Sequence, residues 1–160
     1  MNKDNLFSYH KWAAQACLKH VETFGEEYYV KEGTNSFSSI QETTEHVLGV
    51  EKLWLLRMSG VTNPTFEHVD VETNAKAQQA FELLHAEMEK FFATLTDAEW
   101  QETLHYQNMR GDEFSTTRID MLFTFINHAS YHRGQITSLL RQFGKEGIAL
   151  DYIYYQKENR

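Results

Sequence analysis

A single proline, Pro64, and a single cysteine, Cys17, are what this 160-residue chain has least of. One proline leaves almost the whole backbone free to be helical, since only that residue lacks a backbone donor and has its φ locked. One cysteine cannot close an internal disulfide, so nothing calls for an oxidising compartment. Positive charge is scarce too: 15 Lys+Arg stand against 23 Asp+Glu, a formal charge of −8. Gripping a phosphate backbone is driven by Lys and Arg, so direct nucleic-acid binding is not expected. No run approaches the roughly 18 consecutive apolar residues that cross a bilayer, so no membrane partner is expected. The opening residues, MNKDNLFSYHKWAAQ, lack the apolar stretch of a signal peptide, and a cytoplasmic location is the expectation.

What is present is material for a core. The chain is 41% hydrophobic and 14% aromatic, which excludes global disorder and suits one domain over residues 1–160. Histidine is the unusual count: eight, more than half the Lys+Arg total.

Four amphipathic stretches predict helices. Residues 4–24 carry Leu6, Tyr9, Ala13, Ala16, Leu18 and Val21 near helical spacing, with Asp4 to cap and Gly25 to stop. The second opens at Ser38 or Ser39, with Gln41 or Glu42 as capping-box partner, and runs through Val47, Val50, Leu53, Trp54 and Met58 to Gly60. The third spans residues 73–95, where Ala77, Phe81, Leu84, Met88, Phe91 and Leu95 form one stripe. The fourth starts at Thr117 and reads Ile119, Leu122, Phe123, Ile126, Ala129, Ile136, Leu140 and Phe143 before Gly144. Four such helices make an all-α four-helix bundle the economical architecture. Between the third and fourth, the partly alternating stretch 100–107 and the Arg110-Gly111-Asp112 turn signal predict a short β-hairpin. The tail, 150–155, reads as a final helical turn or two that packs aromatics on the bundle.

His128 and His132 stand four apart in the fourth helix and project from nearly one face, so both imidazoles can reach one ion. Buried neutral imidazoles need partners for both ring nitrogens, and a divalent metal satisfies one on each ring. Hydrogen bonds to Tyr, Glu or backbone groups are the alternative. A third ligand must come from another helix, and His46, beside Val47 and Val50, is the best candidate. Glu42, one turn earlier, could ligate or support, but reads first as a capping residue. The other five, His10, His20, His68, His85 and His105, read as surface or boundary residues. Glu82-x-x-His85 and Glu102-x-x-His105 fit a di-iron bundle poorly, because the second lies in the hairpin and Glu82 leans off its stripe. Cys17 reads as a small core residue, and no phosphate-loop, dinucleotide or Gly-x-Ser-x-Gly pattern occurs.

These segments together resemble the DinB family and the wider group of DinB/YfiT-like metal-binding bundles. The resemblance is carried by Tyr9-His10-Lys11-Trp12-Ala13, by 39–47 followed by Glu51 and Trp54-Leu55, and most specifically by 127–135. The closing 150–154 adds to it, so it spans nearly the whole chain. The resemblance implies an up-down-down-up bundle, a homodimer, and one divalent ion held by His46, His128 and His132, with water in the remaining positions. Many members have His where this chain has Tyr131, a position that is not usually the ligand.

For function the resemblance implies a metal-dependent enzyme of the thiol-transferase or hydrolase type. Zinc or nickel leads, with iron or manganese as further choices, and the expected partner is a small molecule such as a low-molecular-weight thiol. An open three-histidine site suits either chemistry, because the ion lowers the pKa of a bound thiol or water. A non-catalytic metal-binding or stress-response module with a structural or vestigial site is the alternative. No catalytic residue beyond the ligands is assigned. Arg133 and Gln135 flank the second ligand and read first as ion-pair and hydrogen-bond partners.

Overall fold

In a computed structural model, which describes residues 3–108 and 110–158, four long helices carry the architecture. They are α1 (Lys3–Glu22), α3 (Ile40–Met58), α4 (Asn74–Phe92) and α6 (Arg118–Gln142). Short helices α2 (Glu26–Val30), α5 (Asp97–Trp100) and α7 (Tyr152–Glu158) decorate the connections and the tail. Three of the predicted start signals work as capping chemistry: the side chains of Ser39, Thr73 and Thr117 accept from the backbone N–H of Glu42, Lys76 and Asp120. Asp4, expected as a cap, lies instead within the first turn of α1, which already begins at Lys3. Gly144, at φ 74, takes the left-handed conformation that closes α6.

The third helix ends at Phe92, short of Leu95. Thr96 there opens α5 through a capping box with Glu99, a second start signal that cuts the first helix off. Phe123, read as part of the buried stripe, is 61% exposed on α6.

Contacts between helix ends give the order of directions. Asn74 Nδ2 donates to Leu18 O at 3.0 Å while Phe7 packs on Phe92, so α1 and α4 run antiparallel. Arg118 Nε donates to Met58 O at 2.8 Å, which joins the start of α6 to the end of α3. Phe7 meets Phe125 near the start of both α1 and α6, and His20 reaches Glu146 O past their other ends. Gln41, at the start of α3, reaches Val71 O just before α4. The four long helices therefore run up, down, down, up. The α3–α4 connection must return along the length of the bundle, which explains its extended 59–73 stretch. The core between them is apolar, centred on Leu18, Leu48, Met88, Met121, Phe125 and Leu139.

The hairpin pairs β1 (Thr103–Gln107) with β2 (Glu113–Thr117), antiparallel, with Tyr106 opposite Phe114. It docks on the end of α3: the Arg57 guanidinium lies 4.7 Å from both the Trp54 and Tyr106 rings and donates to Gln107 O at 3.1 Å. In the tail, Tyr152 and Tyr155 pack on Tyr9, and Trp12 Nε1 donates to Glu158 Oε2 at 2.7 Å. Among the described residues no helix is long and apolar enough to cross a membrane.

Candidate metal centre

Antiparallel packing of α3 on α6 brings His46 beside His128 and His132. The three rings present the same atom to one point. His128 Nε2 lies 3.2 Å from His46 Nε2 and 3.0 Å from His132 Nε2. Two nitrogen ligands on a tetrahedral zinc, each bonded at about 2.0–2.1 Å, stand about 3.3 Å apart, so the spacing fits a common ion.

One ring proton is placed to suit. His132 Nδ1 donates to Gln135 Oε1 at 2.7 Å, which fixes the tautomer that leaves the Nε2 lone pair free. Gln135 is itself held, since its Nε2 donates to Ser36 Oγ at 3.1 Å and its backbone O accepts from Asn35 Nδ2 at 3.2 Å. His128 Nδ1 is buried without a hydrogen bond. Burial pushes the His128 pKa down to about 4, with the neighbouring His132 and His46 adding to the effect. Burial also lowers His46 and His132. All three rings are thus neutral at neutral pH, the form that ligates metal without first shedding a proton.

Aromatic side chains surround the cluster. Phe37, from the loop before α3, sits 4.6 Å from the His46 ring and 5.7 Å from His132, centroid to centroid. Phe66 stacks 6.4 Å from His46, centroid to centroid. It fits there because Gly49 carries no side chain: a Cβ at that position would stand 2.2 Å from Phe66 Cζ. Tyr131 lies 5.2 Å from His132 and is 64% exposed, at the outer edge of the site. His46 and His128 are half-buried and His132 is buried, so the cluster lies near the surface.

Glu42 stays outside the cluster. Its Oε2 accepts from Ser38 N and Ser38 Oγ, both at 2.9 Å, and its N–H donates to Ser39 Oγ, so it caps α3. Arg133 is buried and donates to Ser130 Oγ at 2.7 Å, a structural bond. Gln135 is the supporting residue that the histidine pattern alone does not single out. Its position three residues after His132, on the same helix face, was the available signal.

Two histidines are corrected. His10 and His85 are core residues, not surface or boundary ones: His10 is wholly buried and His85 is 3% exposed. Both turn to Glu51, which is itself wholly buried, at 3.1 Å and 2.9 Å from His10 Nε2 and His85 Nε2. Burial opposes the Glu51 charge, but the two imidazoles outweigh it and hold the carboxyl well below its ordinary range. Burial lowers the His10 pKa against the pull of Glu51. A polar group at the centre of a helix stripe is legible only once its partners are known. His20, His68 and His105 do lie at the surface or its boundary, bonded to Glu146 O, the Glu45 carboxylate and Ser115 Oγ.

The family model described as "DinB family" matches residues 1–160. The protein DinB of Bacillus subtilis (strain 168) is 30% identical over 156 residues, covering 94% of this chain and 91% of that protein. A DinB-like protein from Bacillus cereus ATCC 10987 superposes with a TM-score of 0.69 at 18% identity, over 89% of this chain and 91% of the other. YfiT from Bacillus subtilis superposes at 0.66 and 15% identity, over 90% and 89% of the two chains. It is described as a probable metal-dependent hydrolase with an unusual four-helix bundle topology. The chain belongs to the DinB family.

Proposed function

We propose that this protein is a divalent-metal-dependent enzyme of the hydrolase or thiol-transferase type, with its ion held by His46, His128 and His132. The observation that carries the reading is the convergence of three Nε2 atoms at 3.0 and 3.2 Å near the surface. A bound zinc or nickel ion would supply Lewis acidity, lowering the pKa of a water or thiol presented to it; iron and manganese are further choices.

The chain's own residues do the rest. Neutral imidazoles leave the ion its full charge. Gln135 keeps His132 in the ligating tautomer. Phe37, Phe66 and Tyr131 offer apolar surface to a small substrate and limit the water around it. Cys17 is unsuited to be the nucleophile, since it is 2% exposed and burial pushes its thiol up to about 11. A reacting thiol would therefore arrive with a low-molecular-weight partner. The likeness to YfiT, described as a probable metal-dependent hydrolase, supports the hydrolytic branch. A homodimer and a cytoplasmic location belong to the same proposal.

The test compares wild type with His128→Ala. Wild type should carry the ion and show turnover, with an ester and amide panel or with several thiols and a model electrophile. The variant should lose both. Equal metal content in the two proteins would remove the centre. Bound metal without turnover in either assay would make this a non-catalytic metal-binding module.

A further inference from the structure

We propose that His10, Glu51 and His85 form a second metal centre, closed inside the bundle, that takes a divalent transition-metal ion of the zinc class. Its donors come from three helices, α1, α3 and α4, and share no residue with the three-histidine cluster. Their ligating atoms all lie within 4.8 Å of one another. Two imidazole nitrogens and one carboxylate are a donor set that first-row divalent ions accept.

A hydrogen-bonded triad accounts for only half of this geometry. His85 Nε2 makes a proper hydrogen bond to Glu51 Oε2 at 2.9 Å. His10 Nε2 comes within 3.1 Å of Glu51 Oε1 but off the hydrogen-bonding direction. His10 Nδ1 is fully buried with no partner, and His10 Nε2 and Glu51 Oε1 have only each other, at 3.1 Å. Such orphaned atoms are uncommon in a core and call for a specific explanation. An ion between His10 Nε2 and Oε1 accepts a lone pair from each, and separations near 3 Å suit two ligands of one such ion.

An ion there would tie α1, α3 and α4 together more firmly than the contacts of Glu51 with His10 and His85 alone. Its role would be structural. Burial of all three ligands means that it would enter during folding and leave slowly.

The test counts ions on full-length protein refolded from a chelator-treated denatured state in the presence of Zn²⁺, and separately Co²⁺, then desalted. Wild type should hold about two ions per chain, and both Glu51→Gln and His46→Ala/His128→Ala/His132→Ala about one each. Chelator should strip one wild-type ion quickly and the other at the rate of unfolding. Circular dichroism checks that each variant is folded, and Glu51→Gln, which keeps its size and one acceptor, guards against collapse of the core. One ion in wild type and none in the triple variant would overturn the buried centre and leave the three-histidine reading intact. One ion in both would retain the buried centre and remove the other. Two ions in Glu51→Gln, or none in wild type, would overturn this proposal.

Discussion

Gln135 Oε1 accepts the Nδ1 proton of His132 at 2.7 Å, and so decides which nitrogen of that ring is left to ligate. The link is local on α6 but is fastened from outside, by Ser36 and Asn35 in the loop before α3. Replacing Gln135 by Ala should free the imidazole to turn and to change tautomer. Metal affinity should fall about 10–100-fold with the fold intact. Competition against a chromophoric chelator measures this, and an unchanged affinity would remove Gln135 from the centre.

Ser39→Ala isolates stability from ligation. The Ser39 hydroxyl accepts from Glu42 N at 3.1 Å and its loss uncaps α3. The variant should lose about 1 kcal/mol in urea unfolding. Its metal content should match wild type, because the cap lies nearly two turns before His46. A drop in metal content would mean that the start of α3 is coupled to the cluster.

Acid should destabilise the metal-free protein. His128 has its pKa lowered from 6.5 to about 4, and His46 and His132 are lowered as well. Between those two pH values the unfolded chain binds protons that the folded chain refuses. Stability is therefore complete above pH 6.5 and is lost as pH falls toward about 4. Thermal unfolding of the chelator-treated protein across that range should show a falling Tm. His128→Asn should flatten the slope, and an unaltered slope would assign the effect to other groups.

Removing the buried carboxylate should be severe. Glu51→Ala leaves His10 and His85 unpaired in the core, and breaking a buried pair of this kind costs about 3–5 kcal/mol. Urea unfolding should show a midpoint shift of that size. A loss below about 1 kcal/mol would mean that apolar packing carries this part of the bundle.

How far these features were legible follows from the range of the interactions involved. Ser39, Thr73 and Thr117 cap the helices that their own sequence neighbours predict, because capping is completed within one turn. His128 and His132 were readable as a pair for the same reason: helical spacing alone puts them on one face. His46 could be proposed as their partner, but its distance from them depends on how α3 packs on α6. His10 and His85 were misread because their environment is made by Glu51, 41 and 34 positions away along the chain. Buried neighbours a turn away, Phe7 and Ala14 about His10 and Phe81 and Met88 about His85, do mark the core face, but the carboxylate that makes a polar group tolerable there is distant in sequence. Phe66 was silent for a similar reason, since its place beside His46 depends on the bare Cα of Gly49.

The amino-acid sequence by itself determined the four long helices, the caps at Ser39, Thr73 and Thr117, the hairpin and the i, i+4 histidine pair, all of which rest on local contacts. Tertiary structure decided which polar groups meet: His46 with His128 and His132 near the surface, and Glu51 with His10 and His85 in the core. Burial and partnership of a side chain depend on the helix that faces it, and that helix is chosen by the packing of the whole bundle.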